Sequence, residues 1–157
     1  MAAKKRAKKA GGPFVAAAVF CQTIVEDSDG VVSALRVVDE LRGIFPAHAP
    51  DDFPSKEHPA EVALFVLIII RRGDAPAGKH RLELVSESPK GETQEVFSQE
   101  VEMPPYPNGA VNVKARLAMK FQGQGVYWFD VVLGGKVLTR MALNIMLQRD
   151  QAAARSK

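Results

Sequence analysis

Residues 46–60, "PAHAPDDFPSKEHPA", gather two imidazoles and three carboxylates: His48, Asp51, Asp52, Glu57 and His58. Imidazole nitrogen and carboxylate oxygen are ligand types that hold Zn²⁺ and similar ions. The spacing fits no tight ligand motif, because the histidines are ten residues apart with prolines between them. His48, Asp51, Asp52 and His58 are thus candidate metal ligands without a recognisable frame. The ordinary alternative is a solvated loop, which four prolines force to be irregular. The third histidine, His80, is in phase with Leu82 and Leu84 and reads as a half-buried strand residue.

Nucleophilic chemistry finds little to work with. Cys21 lies in an Ala/Val-rich run, where a thiol is usually a small inert hydrophobe. Activation needs a nearby cation or helix N-terminus, and the surrounding sequence offers neither. No G-x-S-x-G elbow occurs, and no helix follows the glycines of "GGPF" or "GQGVY" to make a phosphate cradle. "RRGD" reads as a strand end and turn. Glu95, Glu100 and Glu102 read as solvent-facing strand positions rather than as paired catalytic carboxyls, which must face each other across a cleft. These readings predict a protein that is not an enzyme and needs no cofactor.

Two aromatic residues could instead serve recognition. Trp128 shares a phase with Val126, Asp130 and Val132, so one strand face could present it for stacking; Tyr106 sits in the break "PPYPNG". The basic start places Lys4, Lys5, Arg6, Lys8 and Lys9 within ten residues. Such a run could touch nucleic acid in a salt-dependent way. We favour a solubilising tail, because residues 11–148 are mildly acidic and hold few aromatics placed to stack bases.

The elements that must position these residues are strands. In "AVNVKARLAMKFQ" the odd positions Val111 to Phe121 are apolar, and the even positions are polar except Ala118. Period-two alternation puts one face in a core and the other in water. "KHRLELVSES" and "TQEVFSQEVEM" flank the turn "PKGE", and "VYWFDVVL" and "KVLTRMALNIML" flank "GG". Residues 31–45 fit either period. Leu35, Val38, Leu41 and Phe45 approximate helical spacing, while Val31, Val32, Val37 and Val38 favour a strand with a bulge. Connections this short predict antiparallel pairing.

The run 62–70, "VALFVLIII", is too short for a membrane helix, which needs roughly 20 apolar residues. It fits a strand buried on both faces. With Val62, Leu64, Val66, Ile68 and Ile70 inward, Ala63, Phe65, Leu67 and Ile69 point outward, and strand 14–25 is similarly apolar in both phases. A loop such as 46–60 or a second subunit is expected to cover that outer surface.

The whole chain has 157 residues, 46% of them hydrophobic and 25% charged, with a formal net charge of +3. This composition suits one globular domain over residues 13–148, with a disordered basic tail at 1–12 and a flexible tail at 149–157. A single cysteine and an eight-residue apolar stretch with a leading proline at 13–20 point to a cytoplasmic location.

Three segments carry a resemblance: "DGVVSALRVVDELRGIF", "FPSKEHPAEVALFVLIIIRRGDAPAGKHRLELVSESPKGE" and "GQGVYWFDVVLGGKVLTRMALNIML". They resemble a bacterial family of small, uncharacterised β-sandwich proteins, a domain of unknown function. The resemblance covers roughly residues 14–147. It implies an immunoglobulin-like sandwich and tips residues 31–45 towards strand, with no activity implied. The expected fold is therefore all-β, two antiparallel sheets and about eight strands. The expected role is a non-catalytic module that binds protein partners or itself through Ala63, Phe65, Leu67 and Ile69. The alternatives are a saccharide-type ligand on Trp128 or Tyr106, or a metal-dependent enzyme built on loop 46–60.

Overall fold

Alternation of apolar and polar side chains, broken by Gly/Pro turns, gives nine strands in the computed structural model, which describes residues 11–150. They are β1 (Phe14–Glu26), β2 (Val32–Val38), β3 (Glu40–Phe45), β4 (Ala60–Arg71), β5 (Gly78–Glu87), β6 (Thr93–Met103), β7 (Ala110–Phe121), β8 (Gly125–Leu133) and β9 (Lys136–Arg149). No helix occurs among the described residues, so none is long and apolar enough to cross a membrane. The first sheet has the order β2-β1-β4-β7 and the second β3-β9-β8-β5-β6.

Residues 31–45 are two strands and not a helix, which raises the count from eight to nine. Asp39 separates them, and there the chain passes from the first sheet to the second. Its carbonyl accepts the amide of Asn144, so the crossing residue already belongs to the β9 ladder. This crossing also corrects the expectation of purely antiparallel sheets. The chain keeps its direction through Asp39, and β3 runs parallel to β9 from Glu40↔Asn144 to Phe45↔Arg149. β9 thus ends at Arg149, one residue inside the expected C-terminal tail.

Inward positions of both sheets share one core. β4 contributes Leu64, Val66, Ile68 and Ile70; the second sheet contributes Leu82, Leu84, Phe129, Leu143 and Ile145. The Phe20 ring meets Phe129 edge-on at 4.8 Å, joining the sheets. Each such fully buried side chain contributes roughly 1.5–3 kcal/mol. β7 follows its alternation: Val113, Leu117, Met119 and Phe121 are buried and the intervening cations are exposed. Part of the apolar character of β1 in both phases has a different cause. A register shift between Val15 and Ala17 makes Ala16 an extra residue, so Val15 and Phe20 both reach the core despite opposite parity.

The turns obey local chemistry. Gly134 and Gly135 both take positive φ, 55° and 82°, as the two-residue β8–β9 turn requires. The two arginines after the β4 run clamp neighbouring loops. Arg72 Nε donates to the Ala75 carbonyl at 2.6 Å and Nη1 to those of Pro104 and Pro105 at 3.2 and 2.9 Å.

Candidate functional site

Loop 46–59 is organised from β9. Arg149 donates through Nη1 to the carbonyls of Ala47 and Ala49 at 2.8 and 3.0 Å. Its Nη2 reaches the Pro50 carbonyl at 3.1 Å and Asp51 Oδ1 at 3.2 Å. The guanidinium also lies over Phe45, whose ring meets Phe53 at 5.0 Å, and Phe53 packs against the core. The loop therefore closes the end of the core. His48, Asp51, Asp52 and His58 are all exposed on it. Among the described residues, no three His, Cys, Asp or Glu side chains are grouped to hold a metal ion.

Cys21 is fully buried in β1, and burial pushes its thiol pKa up, which disfavours the thiolate. His80 is half-buried, with Nε2 2.9 Å from the Pro76 carbonyl. Asp74 of "RRGD" sits in the turn after β4.

The outward residues of β4 split. Ala63 is exposed, Phe65 and Ile69 are half-buried, and Leu67 is buried. Part of the cover comes from the chain itself. Lys114 stands opposite Leu67, and Leu67 opposite Val19. Lys114 nevertheless pairs with Glu26, seven residues further along β1. A straight strand would carry Glu26 about 20 Å past that row. The end of the β1–β2 hairpin therefore bends back across β4 towards β7. Ile24, Val32 and Ala34 of this hairpin are half-buried, while Val25, Val31, Leu35 and Val37 are 41–59% exposed. Pairing of Cys21 with Val37, Thr23 with Leu35 and Val25 with Ser33 puts Val25, Leu35 and Val37 on one face. The sequence reading missed this strip. Its signal was that "VVSALRVV" holds a single charge, Arg36, in eight residues.

β5 keeps the two candidate aromatics apart. Trp128 pairs with Glu87 at one end of that strand, while Tyr106 follows the β6 end that pairs with Gly78 at the other. Trp128 is 41% exposed on the outward face of the second sheet. Beside it Arg140 donates Nε to Asp130 Oδ1 at 2.6 Å and Nη2 to Asp130 Oδ2 and Glu87 Oε2, both at 3.0 Å. The guanidinium hydrogen bond holds the Asp130 carboxyl below its ordinary range, and the same pairing raises the Arg140 pKa.

A cleft of about 560 Å³ opens where the edges β6 and β7 diverge. Ser86, Thr93 and Gln94 line one wall and Lys120 and Gln122 the other. Tyr127 lies at its base, its hydroxyl donating to the Gly123 carbonyl at 3.0 Å, and burial raises its pKa. Lys120 is committed to Glu61 at 3.0 Å and Glu95 to Arg81 at 3.1 Å. The basic start, Lys4 to Lys9, lies outside the described residues.

A β-glucosidase from Listeria innocua, solved with glucose, is similar over 85% of this chain and 17% of its own, with 11% identity and a TM-score of 0.47. An alkylpurine DNA glycosylase from Pseudomonas fluorescens, bound to DNA containing an abasic site analog, is similar over 54% of this chain and 26% of its own, with 9% identity and a TM-score of 0.41. An immunoglobulin-like protein from Pseudomonas aeruginosa is similar over 88% of this chain and 99% of its own, with 13% identity and a TM-score of 0.35. The chain thus spans only 17% of the length of the glucosidase. No curated protein matches the sequence. A family model described as "Family of unknown function (DUF6941)" matches residues 16–146. With nearly all its described length inside that match, the chain belongs to the DUF6941 family.

Proposed function

We propose that this chain is a non-catalytic binding or scaffolding module, an immunoglobulin-like sandwich that acts through protein contacts, with a second copy of itself as partner. The observation that carries the reading is the difference between its four sheet edges. β6 displays Glu95, Glu100 and Glu102, β7 displays Lys114, Arg116 and Lys120, and β3 carries Glu40 and Arg42. Edges charged in this way resist pairing with other chains. β2 has only Arg36, and Leu35 and Val37 are 48% and 59% exposed. An edge with a single charge among exposed apolar side chains, left open, invites another strand.

A second copy fits the strip. Antiparallel pairing about a two-fold axis at Leu35 sets that residue opposite its twin and Val37 opposite Ser33, with Arg36, whose φ of 55° breaks the regular ladder at that one position, opposite Ala34. No like charges meet, and Val25 joins the shared apolar face. Light scattering on the eluting protein tests this. The unmodified chain is expected to run as a dimer and Leu35→Lys as a monomer with the same far-UV circular dichroism. A chain that stays monomeric at the highest attainable concentration overturns self-pairing. A dimer unaffected by Leu35→Lys and Val37→Lys places the contact elsewhere.

A further inference from the structure

The outward face of the second sheet carries a separate site. We infer that Trp128 and the groove beside it bind an uncharged oligosaccharide. Trp128 is the only tryptophan of the chain, and its neighbour on β9 is Ala142. The small Ala142 side chain leaves one flank of the indole open, while the Arg140 guanidinium lies over the ring, 5.8 Å from its centroid. Two residues away on either side, on the same face of β9, stand Arg140 and Asn144. Beyond Ala142 the β3 ladder has ended, since its pairing with β9 begins at Asn144. A groove of about 380 Å³ opens there, lined by Asp39, Thr139, Arg140 and Ala142 on one side and by β1 on the other. The exposed indole, with the Arg140 guanidinium beside it, thus leads over a low point towards a concavity that holds a carboxylate and a hydroxyl.

That combination suits a pyranose chain. The axial C–H groups of one ring stack on the part of the indole that Arg140 leaves free, where its hydroxyls meet Arg140, and hydroxyls of the next ring meet Thr139 and Asp39. Arg140 is already oriented, because Nε and Nη2 are held by Asp130 and Glu87. Its two Nη1 hydrogens remain to donate, with little ordering entropy left to lose. Asn144 is oriented as well, its amide donating to Glu40 Oε2 at 3.2 Å. The charges decide between neutral and anionic sugars. Three carboxylates, Asp130, Glu87 and Asp39, outweigh the one guanidinium, so a sulfate or phosphate group meets no net positive field.

Because the chain has one tryptophan, its fluorescence reports this site alone. The intact protein is titrated with α- and β-linked trisaccharides of glucose, the trisaccharide of N-acetylglucosamine, and a sulfated disaccharide. The expected result is a saturable spectral change with at least one neutral trisaccharide. By calorimetry, Trp128→Ala should weaken that binding by about tenfold, as the loss of one stacked ring implies. Arg140→Lys, which keeps the charge and loses the fork, should also weaken it. Leu35→Lys should leave it unchanged, which separates this site from self-pairing. Three results overturn the inference: silence across the neutral panel, calorimetric binding that survives Trp128→Ala, or tighter binding of the sulfated sugar.

Discussion

Arg149 illustrates how single side chains fix what periodicity leaves loose. A loop with four prolines has few amides to form its own ladder, so its carbonyls are satisfied by one guanidinium reaching in from the last strand. Arg149→Ala should cost about 1–2 kcal/mol in urea unfolding and open residues 46–59 to proteolysis. Arg149→Lys should recover only part of this, because a single ammonium cannot span the same fork. Unchanged stability in both variants would contradict the clamp. Asp130 gives a pH signature. Its folded-state pKa is lowered, chiefly by the hydrogen bond from Arg140, so its contribution is fully present above the ordinary aspartate value of about 3.9. That contribution is lost as pH falls through the lowered value. The destabilisation caused by Asp130→Asn should therefore be constant from neutral pH to about pH 5 and shrink below about pH 4. A gap that persists unchanged into strong acid would show that Arg140 does not bind the ionised form. Neither arginine was legible beforehand. Arg149 acts on residues 98–102 positions away, and Arg140 joins Asp130, ten positions away across a hairpin, to Glu87, 53 positions away.

At the scale of elements, the strands that alternate strictly were the ones the sequence revealed. β7 could be read residue by residue, because nothing interrupts its period. β1 could not, since the extra residue at Ala16 lets both parities reach the core. β2 and β3 blurred into one ambiguous segment because the chain changes sheets within a single residue, Asp39. The two faces of β4 are open to test. Ile68 is fully buried and Ile69 half-buried. Ile68→Ala should cost about 2–5 kcal/mol, as expected for truncation in a well-packed core. Ile69→Ala should cost clearly less, because part of its surface already meets water. Equal losses in denaturant melts would mean that the outward face is as closely covered as the core. Of the predicted outward contact residues, Leu67 was hidden from sequence reasoning by a hairpin bend visible only in the Glu26–Lys114 pair.

For the whole molecule, the balance of charge along the edges is the feature with consequences. Three edges carry several charges and the β2 edge carries one, and that asymmetry was partly readable in "VVSALRVV". What the sequence could not supply was which strands lie at the rim, since strand order is set by non-local pairing. Trp128 was singled out in advance; the groove beside it was not, because it exists only where β3 stops short of Ala142. Hydrogen exchange across a dilution series tests edge pairing most directly. Amides of Val32–Val38 should gain protection as concentration rises, while those of the buried β4 ladder stay constant. Protection of β2 that is identical at every concentration would contradict the account.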